Sequence, residues 1–317
     1  MAGQNTEINI GKLCDSACVF CGNGGVPREE RVFVPVADLI AEIERAGAAG
    51  GGSIGFLGGE ICAHPGVLEI VSAAKRAGFD RISICTNGRR LSDRALLEAV
   101  LSAGVTRVAL SIHSHEEGVE DLLNGRTGAF AQKVAAIGNL VRAAGGGALR
   151  HGFSLNSCIH GLNHRKLPAM AAYFCNLGVR DMRFNMIRPE HRAVGDKTLV
   201  PGLTECIPGM VDLVVLNERS LKMTVTFGDI PLCLWPGQLL GNAELARRYI
   251  GEFRDMDTEV VVFRGAAGTD RFNWKGRRQS RLKMRVAACA GCGSAGACEG
   301  PWARYVEMYG EGEFHAI

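Results

Sequence analysis

A chain of 317 residues with 47% hydrophobic side chains, 42 glycines and a formal charge of +3 can hold a barrel-sized domain and a smaller module, and is too apolar to be disordered. No apolar run approaches the ~20 residues of a membrane span, and residues 1–7 have neither the basic nor the apolar region of an export signal, so the expected location is the cytoplasm. In that reducing compartment twelve cysteines point to metal rather than to disulfides.

The first predicted strand, at residues 7–10, runs into Cys14, Cys18 and Cys21, a C-x3-C-x2-C loop kept irregular by Gly22, Gly24, Gly25 and Pro27. Pro35 opens a helix whose Val36, Leu39, Ile40 and Ile43 form one apolar stripe, and Gly47 to Gly52 end it. A strand at 53–57 leads to Gly58-Gly59-Glu60, and a helix follows Pro65. A strand at 81–86 leads to the turn Asn87-Gly88 and a helix capped by Ser92 and ended by Gly104. Next come a strand at 107–112, a short helical piece and a longer helix at 131–143. A strand at 152–157 precedes a helix at 166–177, and a strand at 181–185 precedes a helix at 204–217.

Six strand–helix units in a row predict an α/β fold of parallel strands joined by right-handed crossovers, with chemistry at the strands' C-terminal ends. From Phe227 the pattern breaks into loops, one helix at 243–250 and one strand at 259–263, so the expected division is 1–226 and 227–317. Gly50-Gly51-Gly52-Ser53-Ile54-Gly55 matches G-x-G-x-x-G, but helix precedes strand there, the reverse of a dinucleotide site.

Three soft thiolates on one short loop suit an iron–sulfur cluster or zinc. A four-iron cluster held by three cysteines keeps one iron open for substrate. A zinc knuckle needs a fourth ligand, and the next cysteine or histidine along the chain is Cys62 or His64.

C-x3-C-x2-C with Phe20 before its last cysteine resembles the signature of the radical S-adenosylmethionine (SAM) superfamily, and Leu57-Gly58-Gly59-Glu60 resembles that family's second signature. The resemblance implies an open, partial (β/α)6 barrel with SAM chelated on the iron that Cys14, Cys18 and Cys21 leave free. It implies that an electron from the cluster breaks the sulfonium C–S bond, and that the 5′-deoxyadenosyl radical so released takes a hydrogen atom from the substrate. The protein's share is binding, orientation and exclusion of solvent. Phe20 then belongs with the cofactor-binding residues. Glu60 and a backbone carbonyl hold the SAM ammonium, with Gly58 and Gly59 letting the main chain approach. Ser111 meets the SAM carboxylate or ribose, while Asn156, Asn185 and Arg188 match positions that contact its amino acid and ribose. Ser111, His113 and His115 share a face if the fourth strand stays extended, which makes His113 a candidate catalytic residue on the substrate space. Cys158 has the parity of Asn156 and is a candidate hydrogen donor or thiyl.

The tail carries Cys289-x2-Cys292-x5-Cys298, with Cys233 upstream. This resembles the short auxiliary-cluster (SPASM/Twitch-like) domain of many radical SAM enzymes. Four thiols saturate a [4Fe–4S] cluster, which then relays an electron without binding substrate; a zinc ribbon is the other reading. Cys62, Cys85, Cys175 and Cys206 read as small buried apolar residues. Six basic residues from Lys275 to Arg285 offer a face for a flavodoxin or ferredoxin-type electron donor, an acidic peptide or RNA, with nucleic acid weakest for want of interleaved aromatics.

The expected function is SAM cleavage followed by hydrogen abstraction from a substrate, with the auxiliary cluster relaying an electron in an oxidation, bond formation or epimerisation. Only 13 residues precede Cys14, which favours a small molecule. A maturase that makes thioether or C–C crosslinks in a peptide is the alternative, and a zinc-binding or redox-sensing protein is the non-enzymatic rival.

Overall fold

Period-two alternation sorts the side chains of six strands onto two faces. The strands are β1 (Asn5–Asn9), β2 (Ser53–Leu57), β3 (Arg81–Thr86), β4 (Arg107–Ser111), β5 (Phe153–Ile159) and β6 (Asp181–Met186) in a computed structural model that describes residues 5–254, 256–265 and 268–317. Residues 1–4 of the leading segment, read above as lacking export-signal character, lie outside the described residues. Ile8, Phe56, Ile84, Leu110, Leu155 and Phe184 are fully buried on one face. Glu7, Gly55 and Ser83 are in register on the other, as are Asn156 with Arg183 and Cys158 with Asn185. A parallel sheet covered on both sides reads as apolar throughout. This one is polar inside because its inner face walls a cavity.

The helices between strands are α1 (Val36–Ala48), α2 (Val67–Arg76), α3 (Arg94–Ala103), α4 (Glu117–Asn124), α5 (Ala129–Gly145), α6 (Leu167–Asn176) and α7 (Leu203–Leu216). α3 is capped by Asp93, whose side chain accepts the N–H of Ala95, and not by Ser92. Ser92 instead ends a short turn and donates its hydroxyl to Arg89 O at 2.7 Å. β4 stops at Ser111, one residue before the expected end, and β5 runs two residues beyond its own.

Among the described residues the sheet has nine strands in the order β7-β6-β5-β4-β3-β2-β1-β8-β9, where β7 is Thr224–Gly228, β8 is Thr258–Phe263 and β9 is Thr269–Asn273. β1 to β7 are parallel neighbours in chain order, a partial barrel. β7 runs through the expected 226/227 division. β8 pairs parallel with β1, Asn5 opposite Thr258, and β9 folds back antiparallel on β8. The rest of the tail has α8 (Gly237–Leu240), α9 (Ala243–Tyr249), α10 (Trp274–Arg277) and α11 (Ala303–Tyr309). α11 is pinned to the barrel: the buried Tyr305 hydroxyl accepts the N–H of Leu203 at 2.7 Å, and Tyr309 donates to Val200 O at 2.7 Å. Burying one such ring is worth roughly 2 kcal/mol. No helix among the described residues is long and apolar enough to cross a membrane.

Candidate active site

The cysteine loop is built onto the end of β1 by main-chain bonds to the end of β2. Gly11, at φ +115°, turns the chain and donates to the Asn9 side chain at 2.9 Å. Gly59 N–H then donates to Gly11 O at 2.8 Å, and Glu60 N–H to Leu13 O at 2.9 Å. A Cβ on Gly59 would lie 1.9 Å from Leu13 O, and one on Gly58 would lie 2.6 Å from Gly11 O. The two glycines are therefore required by the loop's own backbone, a different reason from the approach to SAM expected of them.

Cys14, Cys18 and Cys21 line one open cavity of about 520 Å³ together with Gly58 and Gly59. Backbone N–H groups point at two of the sulfurs, Ser16 at Cys14 and Asn23 at Cys21, each at 3.4 Å. Such donors suit thiolate ligands, so the set fits a cluster held by three sulfurs. Burial pushes the Cys18 thiol up to about 12, so a cluster seated there displaces its proton.

Glu60 lies beneath the loop, 1% exposed, and burial raises its carboxyl. Its Oε1 accepts from the Thr86 hydroxyl at 2.6 Å and Cys62 N–H at 2.9 Å; its Oε2 accepts from Asn87 N–H at 2.6 Å. Asn87 in turn donates to Asp15 of the loop at 2.7 Å. Glu60 thus ties the ends of β2 and β3 to the cysteines.

A second cavity, about 1340 Å³, occupies the barrel interior and mouth. Phe20, Asn156, Cys158, Asn185 and Arg188 all face it, beside Glu7, Arg183 and Asp229. Arg188 pairs with Glu190 at 2.7 Å and sits over the rings of Trp302 and Trp274, 5.4 and 5.9 Å from their centroids. Asn185 Oδ1 accepts from Arg183 at 3.1 Å.

Ser111 and His113 line neither cavity. The expected shared face fails because β4 ends at Ser111, after which alternation no longer holds. His113 is 7% exposed and packs behind Phe20, while the His115 ring lies 6.0 Å from that of Tyr173. His113 therefore stands behind the cavity wall and not on it.

In the tail, Cys233, Cys289, Cys292 and Cys298 line a single cavity of about 360 Å³. Cys298 Sγ accepts from the N–H groups of Leu232 at 3.5 Å and Gly300 at 3.4 Å, and Cys292 Sγ from that of Ile317 at 3.5 Å. Among the described residues no three His, Cys, Asp or Glu side chains are gathered closely enough for one metal ion. Four thiols around a space fit a polynuclear cluster, whose footprint exceeds the ~2.3 Å bonds of zinc.

The basic run divides between side chains taken up by the fold and exposed ones. Arg278 and Lys283 are buried, with Arg278 bound to Glu299 at 2.8 Å and Lys283 to Glu299 and Asp229 at 3.0 Å each. Arg277 pairs with Asp270 at 3.1 Å over the Phe272 ring, and Lys275 faces the barrel cavity. Arg277, Arg278 and Lys283 are thus consumed by the fold, while Lys275, Arg281 and Arg285 stay exposed.

Three features escaped the sequence reading. Asp229 stands at φ +67° on the cavity wall, a conformation rare outside glycine. Asn87 is the link between Glu60 and the loop. Lys133, a charge on an otherwise ordinary helix, is fully buried. Only the Asn87-Gly88 turn had a local signal.

The Radical SAM superfamily profile matches residues 8–172, just over half the chain. The PqqA peptide cyclase of Gluconobacter oxydans (strain 621H) is 32% identical over 165 residues, 52% of this chain and 44% of that protein. The PqqA peptide cyclase of Ruegeria pomeroyi is 24% identical over 219 residues, 69% of this chain and 56% of that one. The chain thus spans about half the length of the curated relatives it matches. The crystal structure of Streptococcus suis SuiB bound to precursor peptide SuiA superposes with a TM-score of 0.65 at 15% identity, covering 100% of this chain and 76% of SuiB, a likeness of fold. A cysteine trio seated at the end of the first strand of a partial parallel barrel, inside the matched segment, places this chain in the radical SAM superfamily, enzymes that work with SAM and a [4Fe–4S] cluster.

Proposed function

We propose that this enzyme modifies a peptide, using SAM at the Cys14, Cys18 and Cys21 loop and an auxiliary cluster at Cys233, Cys289, Cys292 and Cys298. The observation that carries the reading is the barrel cavity. It is open at the mouth, as an extended substrate requires, and is walled by charged, amide and aromatic side chains. The likeness to PqqA peptide cyclases supports the same class.

When bound, the cluster on the first three cysteines supplies the electron that cleaves SAM. Glu60, Thr86 and Asn87 fix the loop that holds it, and Gly58 and Gly59 give SAM an open flank beside the sulfurs. Phe20 stands between that flank and the substrate cavity. Asn156, Asn185 and Arg188 orient what lies in the cavity, and Cys158 is the thiol nearest at hand for a hydrogen atom. The auxiliary module is the segment around the four tail cysteines, and Lys283 ties it to the cavity through Asp229. Residues 227–228, 258–263 and 269–273 of the tail serve the sheet instead.

The test is anaerobic incubation with SAM, dithionite and either a pool of uniformly deuterated peptides or a pool of deuterated metabolites. Deuterium moving into 5′-deoxyadenosine from the peptide pool alone supports the proposal. Transfer from the metabolite pool alone refutes it in favour of a small molecule.

A further inference from the structure

A buried ion pair sits directly behind the cysteine loop, and the reading above does not use it. Glu120 and Asn124 of α4 and Lys133 of α5 are all fully buried. Lys133 Nζ donates to Glu120 Oε1 at 2.7 Å and to Asn124 Oδ1 at 2.8 Å. Glu120 Oε2 accepts the backbone N–H groups of His113 and Ser114, both at 2.8 Å. Asn124 O accepts the N–H of Ala17 at 2.9 Å, and Leu123 O that of Val19 at 3.0 Å. Cys18 is thus bracketed by two main-chain bonds to α4, and its Sγ lies 3.7 Å from Asn124 Oδ1, the atom that Lys133 holds from the other side.

Shape alone does not require these charges. A buried pair can generally be replaced by apolar residues of similar volume at little or no loss of stability. Lys133 Nζ binds the same Asn124 Oδ1 that Cys18 Sγ meets, whereas Glu120 accepts from the far side of that amide, its Nδ2, at 2.7 Å. A cation that close favours an added electron on a cluster ligated by Cys18, since local charge and hydrogen bonding at the sulfurs set such potentials.

We propose that Lys133 is a positioning residue that, through Asn124 and the seat of Cys18, keeps the SAM-cleaving cluster reducible. The inference rests on the reading that Cys14, Cys18 and Cys21 hold that cluster.

The experiment uses anaerobically reconstituted full-length enzyme: wild type, Lys133→Arg, Lys133→Gln, and Lys133→Met with Glu120→Gln, which leaves the interior without net charge. Iron content is measured, and the cluster whose electron paramagnetic resonance signal changes on adding SAM is titrated against potential. The variants without the Lys133 cation are expected to lose about tenfold in the ratio of reduced to oxidised cluster at the wild-type midpoint, a fall of about 59 mV for one electron, and Lys133→Arg to retain the wild-type value. 5′-Deoxyadenosine formed from SAM alone should fall in step with a reductant poised at that midpoint, and recover with excess titanium(III) citrate. An iron-replete double variant with an unchanged midpoint would overturn the proposal, and if that variant fails to hold iron, Lys133→Gln decides by the same criterion. A wild-type protein with no SAM-responsive cluster would instead sink the underlying reading, so the two failures are distinct.

Discussion

The ring of Phe20 meets that of His113 edge-on, with centroids 4.7 Å apart and planes at 83°. Nδ1 of His113 accepts the backbone N–H of Cys158 at 3.1 Å, so the ring braces two residues of the cavity wall at once. Burial holds its basicity down to about 3, well below the ordinary histidine range, and the ring is neutral wherever an enzyme works.

That shift has a stability consequence with a definite sign. The folded value is below the unfolded ~6.5, so the stabilisation is complete above 6.5 and is lost as pH falls toward 3. One such group costs about 2 kcal/mol between pH 6.5 and 5, and His160, lowered to about 4 by burial, adds to it. Urea unfolding of the apoprotein at pH 7 and pH 5 should show that His113→Asn narrows the gap between the two midpoints. An unchanged gap would mean that the ring is already charged in the fold.

The two cysteine sets should separate cleanly. Substituting Ala for Cys14, Cys18 or Cys21 should remove about four of about eight irons per chain and abolish 5′-deoxyadenosine formation. Cys289→Ala should also remove about four, yet leave SAM cleavage by dithionite intact. Loss of cleavage in both sets would show that the tail cluster is needed for the first chemical step.

Glu60→Gln keeps an acceptor for Thr86 or Cys62 but weakens the charge-assisted bond from Asn87. SAM binding by equilibrium dialysis should weaken by about tenfold, equivalent to ~1.4 kcal/mol. Glu60→Ala, which strands three buried donors, should lower the melting temperature as well. Equal SAM affinity in Glu60→Gln and wild type would remove the carboxylate from the cofactor's surroundings.

Glycines offer a matched pair. Gly59→Ala places a methyl 1.9 Å from Leu13 O and should destabilise the fold by about 3 kcal/mol or more, with loss of bound iron. Gly138→Ala, mid-α5 with only the end of Arg142 within 3.7 Å, should stabilise by up to about 1 kcal/mol. Thermal unfolding measures both; equal effects would contradict the close approach of the two loops.

The strands at Ser53–Leu57 and Arg81–Thr86 could be read to the residue, because each is a short run rich in apolar side chains, bounded by glycine before one and an Asn-Gly turn after the other. The cysteine trio and Gly58-Gly59-Glu60 were legible for a similar reason: each is a local pattern set by backbone or ligand geometry. β7 was hidden, since Thr224–Gly228 follows α7 too closely to show a period of its own. β8 was visible as a strand, but its pairing with β1 is a matter of tertiary contact. Lys133 illustrates the same limit: a lysine on a helix reads as solvated, and only the fold brings Glu120 and Asn124 to meet it.

β1, which carries the cysteine loop, has β2 on one edge and β8 on the other. During synthesis the second edge stays unpaired until residue 258 has left the ribosome, more than two hundred residues after the cysteines have emerged. A nascent chain stalled before residue 258 therefore leaves the strand that carries the cysteine loop with an exposed edge, open to pairing with another chain.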